Sequence, residues 1–180
     1  MFDKDMQIHG KHATYWKALT QLPGNAVETT KNFKIFENYI YVYMVAPIIG
    51  LLHGRKGQYD PADSTKDTAG MLAEIQIKNS AKLKYIYRLI VLLDDSEGLT
   101  NEEKINRAFR EENNDESVRK GMELYTAYFL GGLEILYEIF VMNCTTDDDY
   151  VAKMFDFVSE FKEEQSIDDL TIVIESLLKS

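Results

Sequence analysis

The run from Ser117 to Met142 constrains this chain more than any other stretch. Met122, Tyr125, Tyr128, Phe129, Leu133, Leu136 and Phe140 recur in it at three- and four-residue steps, the period of one apolar face on an α-helix. A helix this long and this apolar on one side must be covered by other elements. Gly131-Gly132 sits in the middle of the pattern. The pair either bends the helix or lets another backbone approach closely.

The rest of the chain reads as helices that could supply the cover. Only three Pro and ten Gly punctuate 180 residues. Gly10 to Leu22 predicts a first helix stopped at Pro23-Gly24. Thr29-Thr30-Lys31-Asn32 offers N-caps for a second, carrying Phe33, Phe36, Ile40, Tyr43 and Met44, with a kink or restart expected at Pro47. Residues 54–68 read as an exposed loop. A long helix is expected from Leu72 to Leu93. The alternation at Ala73–Ile77 would also suit a strand, and Asn79-Ser80 a cap, but no second strand is evident to pair with it. Thr100 and Glu103 have the spacing of a capping box. The helix behind them, 101–111, is expected to turn Ile105, Ala108 and Phe109 inward. Two further helices, Asp148–Glu163 and Ile167–Lys179, complete an all-α, single-domain irregular bundle of about seven helices. Phe129, Leu133, Leu136 and Phe140 are the predicted centre of the core.

Chemistry-bearing motifs are scarce. The three His, at 9, 12 and 53, follow no Glu at the spacing of a di-iron bundle, and Gly10 interrupts the His9/His12 pair. His9 and His12 read as exposed or partly packed imidazoles, and neither a metal nor a cofactor is expected. Asp94-Asp95 and Asp147-Asp148-Asp149 lack the ligand spacing of a calcium loop and read as helix-end acids. Cys144 has no partner for a disulfide and reads as a packed thiol in a reducing compartment. The Asn143-Cys144-Thr145 sequon is read as fortuitous. No P-loop or dinucleotide fingerprint occurs. The one phosphate-like feature is His53-Gly54-Arg55-Lys56-Gly57. Glycines beside Arg55 and Lys56 suit an anion, and His53 is the candidate acid or base.

Charge divides the chain. Residues 1–90 hold twelve Lys/Arg against eight Asp/Glu, and residues 91–180 eight against twenty-two. Lys78/Lys82 and Lys84/Arg88, with Tyr85 and Tyr87 between them, make one helix locally basic. A net charge of −10 nevertheless opposes direct nucleic-acid binding. Glu102, Glu103, Glu111, Glu112, Asp115 and Glu116 are the candidate acids for a basic partner surface; their bland alternative is a solvated helix with pairs such as Glu103–Arg107. The apolar run Tyr39–Leu52 is shorter than the ~20 residues of a membrane span, and the first residues carry no apolar leader block. A cytoplasmic location without membrane contact is the expectation.

Missing catalytic spacing and abundant aromatic residues lead to one functional expectation. The chain reads as a non-catalytic helical interaction protein, an accessory or regulatory subunit that binds other proteins and associates with itself. Tyr39, Tyr41 and Tyr43 place rings on more than one face of their helix, as an interface helix does. One alternative is an enzyme acting on a phosphorylated or anionic small molecule through the His53–Asp60 loop. Another is an acidic-surface regulator of nucleic-acid-binding machinery.

Overall fold

The computed structural model describes residues 1–20, 34–59, 66–142, 144 and 146–164. Within them, strand β1 (Met6–His9) is followed by helices α1 (Lys11–Thr20) and α2 (Tyr39–Leu52), strand β2 (Thr68–Met71), and helices α3 (Ala73–Lys78) and α4 (Ser80–Leu93). Helix α5 (Asn101–Ile105) runs into a π-helical turn (Asn106–Arg110), and α6 (Asp115–Phe140) and α7 (Asp147–Glu164) come after it. The caps proposed at 29–32, the stop at Pro23-Gly24, the sequon and the last predicted helix lie outside the described residues.

Helix α6 is the central rod, and α2 packs closely along it. Backbone meets backbone where side chains are missing. A β-carbon on Gly132 would run into the carbonyl of Ala46, and one on Gly50 into the carbonyl of Tyr128. Glycine here serves close approach, and α6 runs on unbroken. Phe129, Leu133 and Leu136 are fully buried and Phe140 nearly so, as expected. Trp16 packs its edge on Phe129 at 5.3 Å. Tyr15 stacks on Tyr137 at 3.9 Å.

Helix α2 runs through Pro47 without a restart. Proline cannot donate to the carbonyl four residues back, which leaves the oxygen of Tyr43 without its helical partner. The hydroxyl of Tyr125, itself wholly buried, donates to that oxygen at 2.8 Å. A side chain of α6 thus supplies the bond that proline withholds. Phe36, expected in this helix, precedes it and lies partly buried against the core.

The small antiparallel pair β1–β2 was not expected. Met6 faces Met71 and Ile8 faces Ala69, and Ile8, Ala69 and Met71 are buried. Each strand has four residues, and α1 and α2 lie between them in sequence, so no local pattern announces the pairing. The long helix forecast over Leu72–Leu93 divides at Asn79, whose side-chain amide donates to the Ile75 carbonyl at 2.9 Å and closes α3.

Thr100 and Glu103 form the predicted capping box. The π turn behind it corrects the inward face. An i→i+5 ladder inserts one residue and rotates the positions beyond it. Ala108 is buried, but Phe109 is exposed, as is Ile105 ahead of the turn, and Phe109 lies under the Arg88 guanidinium at 5.0 Å. Lys104 is buried instead and pairs with Asp95. Helix α7 opens on a second reciprocal cap, Thr146 with Asp149. It rests on the core through Tyr150, whose hydroxyl donates to the Cys144 carbonyl at 3.1 Å, and through Phe157, 5.4 Å from Phe140. Cys144 is buried, as read.

Candidate functional site

The loop after α2 is held tightly to α6. His53 ends the helix, and Gly54 takes φ +60°, a conformation that strains most other residues. The Arg55 N–H donates to the Gly50 carbonyl and the Gly57 N–H to the Ala127 carbonyl, both at 2.8 Å. The Arg55 guanidinium donates to both carboxylate oxygens of Glu138 at 2.8 Å. Lys56 pairs with Asp94 at 2.9 Å, donates to the Ser96 hydroxyl, and lies 4.8 Å over the Tyr128 ring. The two cations read as an anion site therefore each hold a carboxylate of this chain, on different elements. His53 is exposed, and among the described residues no carboxylate pairs with it.

Asp94 is the centre of a buried polar knot. Its carboxylate accepts from the Tyr128 hydroxyl at 2.6 Å and from Ser96 at 2.8 Å, besides Lys56. Burial pushes its carboxyl up, but the hydrogen bonds from Tyr128, Lys56 and Ser96 outweigh burial and hold it below the usual carboxylate range. Burial and the accepting carboxylate push Tyr128 the other way, above the usual phenol range. Asp94 is a helix-end acid, as read, but it closes the C-terminus of α4, where the helix dipole disfavours an anion, and its partners hold it there.

The six candidate acids do not present one free surface. Glu103 is engaged in the Thr100 cap, which holds its carboxyl low. Glu112 is clamped by Lys84 at 3.1 Å and Arg88 at 2.6 Å, and both lower it. Glu116 pairs with Lys120 one turn on. The expected Glu103–Arg107 pair is replaced by Arg107–Glu97 at 2.6 Å. Glu103, Glu111 and Glu116 do line one cleft of about 310 Å³, in the company of Arg107 and Lys120. Glu102 is exposed, and Asp115 borders a different hollow, beside residues 1–7. Among the described residues no group of His, Cys, Asp and Glu is placed to hold a metal.

Two features escaped the sequence reading. His12 is buried, not exposed, and its Nε2 lies 3.0 Å from Glu134, which Lys11 also reaches at 3.0 Å. The signal was Glu134 itself, a carboxylate inside the apolar run of α6. Burial pushes its carboxyl up, and the bonds from Lys11 and His12 outweigh that effect. The second feature is an apolar face. Met44 of α2 shares a groove of about 430 Å³ with Ala81, Lys82, Tyr85 and Ile86 of α4. Beyond the far ends of both helices Lys56 ties to Asp94, so α2 and α4 run parallel. Tyr41, Val45, Ile48 and Leu52 share one face of α2 by helical spacing; Tyr41 and Leu52 are about half exposed and the other two partly buried. On α4, Tyr85 is 70% and Leu93 58% exposed. The basic helix side divides: Tyr87 is buried, Lys84 and Arg88 turn to Glu112, and Lys82 stays at the groove.

Among the described residues no helix is long and apolar enough to cross a membrane. Comparison with protein-family models, with curated proteins and with solved structures finds no match to this chain.

Proposed function

We propose that this chain is a non-catalytic helical interaction protein whose docking face is formed by α2 and α4. One observation carries the reading. Helix α2 has no charged residue in its fourteen positions, yet it leaves Tyr41 and Leu52 in water, and its Met44 shares a groove with the 70% exposed Tyr85 of α4. Apolar surface gathered on two parallel helices around a groove is the form that receives a partner's side chains. The enzyme alternative draws less support, because Arg55 and Lys56 are neutralised within the chain and His53 stands apart from any carboxylate among the described residues. The acidic-regulator alternative loses Glu103, Glu112 and Glu116 to internal contacts.

The test compares the original chain with Tyr85→Glu and with Arg55→Ala/Lys56→Ala as baits for partners from its native cell. Tyr85→Glu should keep the helical spectrum and melting behaviour, as substitutions at exposed sites do, and lose the partners that the original chain captures. The loop variant should retain them. Partners kept by Tyr85→Glu and lost by the loop variant would sink the reading.

A further inference from the structure

We propose that the α2/α4 face is filled by helix α7 of a second copy, two chains exchanging α7 across a two-fold axis. The proposal rests on the docking-face reading and names its occupant.

Helix α7 has two apolar sides. Tyr150 and Phe157 face the core. Val151, Met154, Phe155 and Val158, at steps of i, i+3, i+4 and i+7, form a ridge in water, with Phe155 72% exposed. A helix with such anchors fits a groove between two others. Phe157 seats α7 on Phe140, and the ridge lies on another side of α7, uncovered among the described residues.

Charge selects the occupant. Helix α4 holds Lys82, Lys84 and Arg88 and no acid. Lys84 and Arg88 are spent on Glu112, while Lys82 stands at the groove and has no carboxylate partner among the described residues. Helix α7 sets seven acids against Lys153 and Lys162. Pairing α7 with α7, or α4 with α4, sets like charges together; placing α7 on α4 joins opposite ones. One ridge of four side chains falls short of the roughly 800 Å² per partner of a standard interface. Reciprocal exchange doubles the contact and closes the assembly, where a single head-to-tail contact would propagate.

The experiment is light scattering on the full-length chain at about 100 μM, well above a micromolar dissociation constant, with Tyr85→Glu and Phe155→Lys measured apart and mixed. Both rings are at least 70% exposed, and circular dichroism checks that each variant keeps its helix. The original chain should be a dimer and each variant a monomer. The equimolar mixture should recover dimer, since one of its two contacts is unaltered and the other sets the introduced lysine against the introduced glutamate. A monomeric original chain, a dimer that survives Phe155→Lys, or variants that stay monomeric when mixed would each overturn the exchange. The docking-face reading fails separately, when Tyr85→Glu still captures the partners of the original chain.

Discussion

Helices α6 and α7 carry the same kind of three-and-four apolar repeat, yet they end in different physical situations. Helix α6 is surrounded: α2 touches it backbone to backbone at Gly132 and Gly50, and the rings of Trp16 and Tyr15 pack on Phe129 and Tyr137. Helix α7 is held along one side by Tyr150 and Phe157, while Val151, Phe155 and Val158 stay in water. The difference comes from the other partner. Two glycines and an alanine at a crossing permit an approach that larger side chains forbid, and α7 has no glycine. An apolar repeat therefore says that a helix seeks cover, and the size of its small residues says how close the cover can come.

The contrast can be broken most directly at the crossing. Gly132→Ala places a methyl where the Ala46 carbonyl stands, and backbone cannot swing aside as a side chain does. The loss of stability should reach or exceed the upper end of ordinary overpacking, about 3 kcal/mol, by urea titration. A loss below about 1 kcal/mol, the lower end of that range, would show slack between α2 and α6. Leu133→Ala, next along the fully buried face, should cost about 2–5 kcal/mol through the cavity it leaves; a near-neutral result would place the core elsewhere. Tyr125→Phe strips the Tyr43 carbonyl of its donor and should cost about 1–3 kcal/mol. Adding Pro47→Ala restores a backbone N–H and should recover part of that loss. No recovery would disprove the substitution of hydroxyl for amide.

Acid sharpens the comparison differently. Asp94 ties the end of α4 to Tyr128 of α6, and its carboxyl sits below the usual range. A depressed folded pKa contributes stability that is present above the unfolded value and lost as pH falls through the folded one. Stability should hold from pH 7 to about 5 and decline below about 4. The decline should be shallower in Asp94→Asn, whose stability at pH 7 is already reduced. An unchanged slope would remove Asp94 from the account. The smallest effect belongs to α7: in a sample too dilute for copies to associate, Phe155→Ala should change stability by no more than about 0.5 kcal/mol, as at exposed sites. A loss of about 2 kcal/mol, in the range of buried large-to-small changes, would mean the ring is covered within its own chain.

Much of the fold was legible in the residues because its signals are local. The α6 repeat, the Thr100–Glu103 cap and the end of a helix at Leu93 each arise from spacing within a few positions. The candidate site was legible only in part. Tyr41 and Tyr85 were noticed as aromatic rings on their helices, but their joint exposure depends on α2 and α4 lying side by side. Arg55 and Lys56 looked available because Glu138 and Asp94 are distant in sequence. His12 looked exposed because Glu134 is more distant still.

Residue order was enough to make this chain helical, to set where most of its helices begin and end, and to point Phe129, Leu133, Leu136 and Phe140 inward; periodicity and caps are short-range physics. Long-range packing was needed for β1 to find β2, for Tyr125 to repair the helix at Pro47, and for the loop cations to be paired already. It also rotated Phe109 outward through a π turn. Most of these outcomes join groups tens of residues apart in the chain, and the energy of such a contact exists only after the chain has folded to bring them together.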